Sequence, residues 1–220
     1  MYYDLKNQYQ EKNYSNIAVI LSVVAVIQFV ILTLLAGLFY PGGYSIIGNY
    51  FSDLGMVHVH VHGISYLNPI SSGMFMTAVF LIVFLLLPYW FLLKKLFSAS
   101  KLQNILSIAG LIMGIASSIS LFMVALNPVD THTNIHVIYA LLFFLSFAFS
   151  IFFFSLNFIA HKQYFPILYA LVMIVLVSFL VSEQTLAKIA YILPFWEKIV
   201  GYMYFIWILI VDLILWKKFN

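Results

Sequence analysis

The chain contains no cysteine and no arginine, and only 8% of its 220 residues are charged. The lack of cysteine excludes disulfides, thiolate metal sites and a catalytic thiol. The lack of arginine removes the bidentate contacts on which phosphate and nucleic-acid recognition often depend, and no basic tract replaces them. We therefore expect no nucleic-acid partner.

Apolar side chains make up most of what is present. The sequence is 65% hydrophobic and 19% aromatic, with a mean hydropathy of +1.07. A water-soluble domain of this composition would have too few polar residues to cover its surface. The composition therefore predicts a polytopic membrane protein.

Six stretches of the sequence are long and apolar enough to cross a bilayer, which takes about 20 residues. They cover about residues 17–40, 69–93, 102–126, 134–160, 165–182 and 194–216. The short links between most of these spans predict antiparallel neighbours, and hence an all-α fold in which residues 1–220 form a single six-helix membrane domain. Internal repeats are not visible, and ionisable groups are scarce within the spans, which disfavours a transporter or channel.

The distribution of charge predicts the orientation of the bundle. Eight of the ten lysines lie in segments on one side of it, and only Lys188 and Lys198 lie on the other. By the positive-inside rule both termini are cytoplasmic, and we expect a multi-pass protein of the cell membrane. Five of the six histidines and four of the seven carboxylates lie in the outward segments, so these segments are where we look for function.

The longest outward segment, residues 41–68, is called the lid below. It is long for a structureless loop and it carries apolar residues of its own, such as Ile46, Ile47 and Leu54. We expect it to fold back onto the bundle as a cover or as a short interfacial helix.

The lid contains the polar cluster Asn49-Tyr50-Phe51-Ser52-Asp53-Leu54-Gly55. If the stretch is helical, Asn49, Ser52 and Asp53 share one face, and the last two residues resemble a helix end. An amide, a hydroxyl and a carboxylate on one face could bind a metal, a water or a lipid headgroup. The alternative is that Ser52 or Asp53 caps a helix while Asn49 closes a turn.

A second cluster, Asn127-Pro128-Val129-Asp130-Thr131-His132, lies between the third and fourth spans. The proline should end the third span, and Asp130 or a following threonine can cap the fourth. His132 and His136 are four residues apart, a spacing that lets two imidazoles grip one zinc ion with Asp130 as a third ligand. The alternative is an ordinary helix start in which His136 donates a hydrogen bond to a neighbouring loop.

A third pattern, Val57-His58-Val59-His60-Val61-His62, alternates with a period of two. In a strand, His58, His60 and His62 would lie on one side and the three valines on the other. Three such histidines could bind zinc or copper. The alternative is a solvated strand at the membrane surface whose valines pack inward.

Other candidate groups are expected to be structural. A b-type haem needs paired histidines at matched depth, and only His136 and His161 flank spans, at opposite ends of the fourth, so no haem is expected. Glu183 and Glu197 are expected to be interfacial charges rather than ligands. The four tryptophans are expected to anchor the membrane interface: Trp90, Trp196, Trp207 and Trp216.

Several of these elements recur together in a known group. The chain has six spans, the Asn49 to Gly55 motif after the first span, Asn68-Pro69 at the start of the second, and Pro-Val-Asp ahead of His136. In these features it resembles a prokaryotic family of "hypothetical membrane proteins" of unknown function, distantly grouped with DRAM-type membrane proteins. The resemblance covers roughly Tyr40 to Phe144 and implies a six-helix bundle without a settled activity. It places five polar residues in the recurring pattern: Asn49, Ser52, Asp53, Asp130 and His136. The His58, His60 and His62 run is outside it.

Two functions follow as hypotheses. In the favoured one the protein is a non-catalytic accessory or structural subunit, or a lipid-binding module, and its partners are membrane lipids and other membrane subunits. In the alternative it is a metal-dependent hydrolase that acts on a lipid headgroup or acyl linkage at the outer leaflet. Its divalent metal, such as zinc, would be held by four residues: Asp53, Asp130, His132 and His136. The catalytic candidates are Ser52, Asp53, Asp130 and His136, and Asn49 and Asn127 would bind the ligand.

Overall fold

The computed structural model describes residues 2–159, 162, 164–186 and 193–219. It contains six α-helices: α1 (Tyr2–Leu38), α2 (Pro69–Leu96), α3 (Lys101–Leu126), α4 (Thr133–Ile159), α5 (Phe165–Leu186) and α6 (Leu193–Phe219). In this described part, every helix except α5 contains a stretch long and apolar enough to span a membrane, and α5 adds the shorter apolar stretch Phe165–Leu180. The predicted helical membrane bundle is confirmed. Lys188, His161 and the Glu183 side chain lie outside the described residues.

Local sequence sets where several helices begin and end. α2 begins at Pro69, directly after Asn68, and proline suits a first helical position because its missing N–H needs no partner there. α3 ends at Leu126, two residues before Pro128, as the proline predicted. α1 instead begins at Tyr2, so the polar segment that was expected to precede the first span continues its helix.

The helices form a closed ring. Each helix packs against the next one along the chain, and α1 packs against α6 to complete the circuit. This order confirms that α2 and α3, α3 and α4, and α4 and α5 are neighbours, as the short links between them predicted. The ring leaves room at its centre for the cavity described below.

Close approaches of helices depend on small residues and on buried indoles. A Cβ at Gly114 would lie 2.7 Å from Trp90 Cδ2, so glycine lets the ring enter. Trp90 and Trp207 are both fully buried. Trp90 Nε1 donates to Ser118 Oγ at 3.3 Å and Trp207 Nε1 to Ser155 Oγ at 3.1 Å. The prediction that Trp90 and Trp207 anchor the membrane interface is therefore wrong, because their N–H groups find partners inside the bundle.

The lid is neither a plain loop nor an interfacial α-helix. It contains the 3-10 helix Phe51–Gly55 and an antiparallel hairpin of β1 (His58–Val61) and β2 (Ile64–Leu67). The two hairpin turn residues have φ values of 50° and 81°, which is the type I′ pattern that fits the twist of paired strands. The 3-10 helix contacts α1, α2, α3 and α6. The lid therefore covers one end of the ring, which we call the lid end.

Candidate functional site

Asp53 organises the start of the 3-10 helix. It is 8% exposed, and its Oδ2 accepts hydrogen bonds from Asn49 Nδ2 at 3.0 Å and from the Tyr50 backbone N–H at 2.9 Å. Asn49 Oδ1 accepts from the Ser45 backbone N–H at 2.9 Å. These bonds favour the structural alternative, in which Asp53 caps the helix and Asn49 closes a turn. Ser52 does not join them, because successive residues of a 3-10 helix point about 120° apart.

The electrostatics of the lid are dominated by burial. Burial raises the pKa of the Asp53 carboxyl above its ordinary value, although its two hydrogen bonds and the charge of Lys198 act in the opposite direction. Burial, followed by the negative charge of Asp53, raises the pKa of Tyr40 to about 12. Burial and then the charge of Glu197 raise the pKa of Tyr44 still further. These phenols therefore stay neutral at physiological pH.

Two adjacent buried charges of α6 hold the lid from the opposite side. Glu197 Oε2 accepts from the Phe51 backbone N–H at 3.1 Å. The Lys198 ammonium donates to the Asn49 carbonyl, and it lies 5.2 Å from the centre of the Tyr44 ring and 5.4 Å from that of Phe51. Glu197 is only 8% exposed and Lys198 only 4%. The expectation that Glu197 is an interfacial charge is wrong, because its carboxylate is buried against the lid backbone.

Asp130 fixes the hairpin to the loop between α3 and α4. Its Oδ1 accepts from the Val57 backbone N–H at 3.1 Å, and its Oδ2 accepts from the His58 backbone N–H at 2.9 Å. The His58 imidazole Nδ1 lies 3.8 Å from the same Oδ2. Both carboxylate oxygens are thus used to hold backbone, so Asp130 acts as a brace between two segments of the lid end.

His136 is buried near the first turn of α4, where its Nδ1 lies 2.7 Å from the Asn127 carbonyl oxygen. A carbonyl can only accept, so Nδ1 carries the hydrogen and Nε2 is the acceptor of the neutral ring. This bond confirms the alternative in which His136 donates to a neighbouring loop. The Asn127 side chain bonds to the Met123 carbonyl rather than turning to a ligand. His132 precedes α4 and is exposed, so it does not share a face with His136.

The predicted metal ligands are not brought together. Among the residues that the structure describes, no group of three or more His, Cys, Asp or Glu side chains could hold a metal ion. Asp53 and Asp130 direct their oxygens at amide donors, and His132 Nδ1 bonds to the neighbouring Thr131 hydroxyl at 2.9 Å. The arrangement therefore gives no geometric support to a metal centre of Asp53, Asp130, His132 and His136.

The histidine run is only partly a strand. His58 and His60 are exposed on β1, while Val59 is 5% exposed. His62 lies in the turn with φ of 50°, so it does not continue the alternation. The arrangement matches the alternative of a solvated strand whose valine packs inward.

A largely apolar cavity lies under the lid, inside the ring of helices. Its volume is about 70 Å³, and α1, α2, α3, α4, α6 and the 3-10 helix all contribute to its wall. The side chains of the wall must therefore move apart to admit a ligand larger than a few water molecules. Seven phenylalanines line it. Three of its polar side chains lie at the lid end, Ser52, His136 and Glu197, and Ser117 and Ser118 lie deeper. The cavity thus has an apolar length and a polar end.

Some residues of this site were missed by the sequence reasoning. Asn68 is 2% exposed, and its Nδ2 donates to the carbonyls of Leu54 and Met56 at 3.2 and 3.0 Å. It ties the 3-10 helix to the start of α2. Glu197 and Lys198 had a usable signal, because two charges at the start of an apolar span are costly unless they have buried partners.

The helical ring and its covered cavity define a multi-pass membrane protein with an internal site at one end. The family model described as "Protein of unknown function (DUF998)" matches residues 23–213, and the chain belongs to this family. No curated protein matches the chain, and no solved structure matches it.

Proposed function

We propose that the protein is a non-catalytic lipid-binding module that holds one lipid chain in the cavity under the lid. The observation that carries this proposal is the division of the cavity wall into a long apolar part and a short polar end formed by Ser52, His136 and Glu197. A lipid has the same division between tail and head. Pockets that bind such molecules are mostly apolar with a few polar groups that fix orientation.

The depth of the cavity supports a chain of one leaflet. Along α2 the wall extends from Phe75 near the lid to Leu86, which corresponds to about 16 Å of helix. The hydrocarbon core of a bilayer is about 30 Å thick. The lining residues therefore extend over about half of the core, the depth that the tail of a lipid in one leaflet occupies.

The contacts of the acidic residues at the lid end support a binding role more than a hydrolytic one. Asp53 and Asp130 are engaged with backbone amides of the lid, and Glu197 shares one oxygen with the Phe51 amide. These contacts position the cover of the cavity. The hydrolase hypothesis has less support, because the described residues form no ligand set for the metal it requires.

Native mass spectrometry of the protein purified in mild detergent tests the proposal. We expect about one lipid per chain to survive purification, and we expect Gly201→Leu to remove most of it. Gly201 lines the cavity, and a Cβ there would lie 3.5 Å from Phe51 Cε2, which is ordinary contact. The rest of the leucine side chain would extend into the space of the lipid tail.

Gly73→Leu is the matched control. Gly73 is an exposed residue of α2, and a Cβ there meets nothing within 4 Å. Both changes replace a helical glycine by the same side chain, so effects on helix propensity are shared. The proposal is wrong if the unmodified protein carries no lipid under conditions that keep it folded, or if both variants retain lipid equally.

The orientation and the wider relationships are part of the same proposal. We propose a location in the cell membrane with cytoplasmic termini on the basis of the lysine asymmetry. We also propose a link to prokaryotic DRAM-type proteins, on the basis of the shared motifs, and an accessory role beside other membrane subunits.

The orientation can be tested by thiol labelling. Since the chain has no cysteine, Ser65→Cys and Ala99→Cys each give a single thiol at an exposed position. We expect an impermeant maleimide to label only Ser65→Cys in intact cells; labelling of Ala99→Cys alone would reverse the orientation.

A further inference from the structure

A groove lies between α1 and α6 on the outer surface of the ring, next to the lid. Its volume is about 280 Å³, and its wall is mostly apolar. Leu34 and Leu38 of α1 line the groove and are exposed. In a bilayer the exposed side chains of a span contact lipid acyl chains, which are as apolar as leucine. An acyl chain of the membrane therefore reaches this groove from the side without crossing the lid.

One side chain separates the groove from the cavity under the lid. Of the described residues that line the two spaces, Phe51 alone is common to both. The centre of its ring lies 5.8 Å from that of Phe29 on α1 and 5.6 Å from that of Tyr202 on α6, and both contacts are edge-to-face. The Phe51 ring therefore fills the gap between α1 and α6 beneath the lid.

The sequence of α6 fits this division. Glu197 and Gly201 line the cavity, whereas Lys198 and Tyr202 line the groove. Residues four apart share one face of a helix, so α6 turns one face to each space. The Phe51 ring packs over Gly201, where a Cβ would lie 3.5 Å from Phe51 Cε2. The small residue leaves the ring free of a bulky neighbour on this side.

The Phe51 ring can leave the gap while the lid stays in place. The lid is held here through the Phe51 backbone, whose N–H donates to Glu197 Oε2 at 3.1 Å. A carboxyl oxygen accepts this bond whether the group is ionised or protonated. Rotation of the side chain about χ1 moves the ring and not the backbone. The bond to Glu197 therefore survives the movement that opens the gap.

We propose that the groove binds the acyl chain of a membrane lipid and that Phe51 is the gate through which this chain passes into the cavity. The inference rests on the proposed lipid-binding function and adds the entry site and the gate. The closed cavity has a volume of only about 70 Å³. Movement of the Phe51 ring joins it to the groove of about 280 Å³, so a chain that lies in the groove can slide inward.

Isotope exchange followed by native mass spectrometry tests the entry site. The purified protein, in a sterol-based detergent without alkyl chains, is loaded with deuterated hexadecanol and then mixed with an excess of unlabelled hexadecanol. Gly37→Leu obstructs the groove, because Gly37 lines it and is not among the residues that line the cavity. A Cβ there would lie 3.5 Å from Tyr44 Cδ1, an ordinary contact. We expect this variant to exchange hexadecanol at least about tenfold more slowly at unchanged occupancy.

Three further variants complete the test. Phe51→Ala removes the gate and should exchange at least about tenfold faster than the unmodified protein. Gly73→Leu is the matched control for Gly37→Leu, because a Cβ at Gly73 meets nothing within 4 Å, and it should exchange at the unmodified rate. Asp130→Asn probes the route over the lid, because Asp130 binds the backbone of the hairpin. We expect it to leave the exchange rate unchanged.

The outcomes separate the gate from the proposed function. If hexadecanol is bound but Gly37→Leu exchanges it at the unmodified rate, the inference is overturned and the proposed function stands. Faster exchange in Asp130→Asn together with that result would place the route over the lid. Absence of bound hexadecanol from the folded, unmodified protein would overturn the proposed function and with it the inference. If Phe51→Ala does not fold, Gly37→Leu and its control decide the question.

Discussion

Asp130→Asn should detach the hairpin from the loop between α3 and α4, although the substitution replaces only one oxygen of the side chain by an N–H₂ group. Asp130 accepts the Val57 amide on one oxygen and the His58 amide on the other. Asparagine has a single carbonyl oxygen, so one of these amides would face an N–H₂ group and lose its acceptor. The substitution is therefore expected to be nearly as harmful as Asp130→Ala.

The size of the effect follows from the exposure of the bonds. Hydrogen bonds to a charged group contribute about 1.5–3 kcal/mol each, but the Asp130 side chain is 15% exposed, and water can partly replace the lost partner. We expect a loss of about 1–2 kcal/mol, which raises the population of the open hairpin by a factor of about 5–30. The helices should be little affected, because the bonds join the hairpin to a loop and involve no helical residue.

Hydrogen–deuterium exchange measures this directly. Peptides covering residues 57–67 should exchange about 5–30 times faster in Asp130→Asn, and peptides of α3 should be unchanged. Thr131→Ala is the control, because the Thr131 hydroxyl bonds to the Pro128 carbonyl and to His132 Nδ1 and, within the described part of the chain, to no atom of the hairpin. Exchange of the hairpin at the same rate in Asp130→Asn and in the unmodified protein would refute the reasoning.

Four further predictions concern the lid. Asp53→Ala should lower the thermal unfolding midpoint by the equivalent of about 1–3 kcal/mol because two donors lose their acceptor, whereas Asp53→Asn keeps an oxygen for both and should be nearly neutral. Burial raises the pKa of the Asp53 carboxyl, so the folded protein binds this proton at a higher pH than the unfolded chain does. The unmodified protein should therefore gain stability relative to Asp53→Asn as the pH falls from neutral. A gain in stability on raising the pH would contradict this. Gly55→Ala should destabilise the fold by about 1–3 kcal/mol in detergent unfolding, because the new Cβ would lie 2.6 Å from Phe75 Cδ1. Gly73→Ala should not destabilise the fold, and equal effects of the two substitutions would refute the packing argument. His62→Asn should slow hairpin exchange by the equivalent of about 0.5–1 kcal/mol, because asparagine tolerates positive φ better; faster exchange would count against the turn assignment.

The helices were predictable because their signals are local. About 20 consecutive apolar residues suffice to identify a span, and Pro69 and Pro128 mark a helix start and a helix end from their own backbone chemistry. The bond from His136 to Asn127 was also within reach, since the two residues are nine positions apart, at the two ends of the short connection between α3 and α4. The roles of Asp53 as a helix cap and of Asn49 in closing a turn were also predicted as an alternative, because their partners lie within a few residues along the chain.

The rest of the site depends on partners that are distant in sequence. Asp130 bonds to amides 72 and 73 residues away, and Glu197 bonds to an amide 146 residues away. A sequence shows that such a carboxylate needs donors but not which backbone segment supplies them. For this reason the sequence predicts a metal ligand or a helix cap at Asp130 and an interfacial charge at Glu197, whereas both hold the lid. The cavity itself arises from the gaps among five helices, which no single segment encodes.

The most direct test of the central claim is an experimental density map of the protein in lipid nanodiscs at a resolution that shows side chains. Our account predicts one elongated density inside the ring, with its polar end within hydrogen-bond distance of His136 or Glu197 and its tail directed along α2 toward Leu86. A cavity filled by repacked side chains, or one that contains only isolated water peaks, would contradict it.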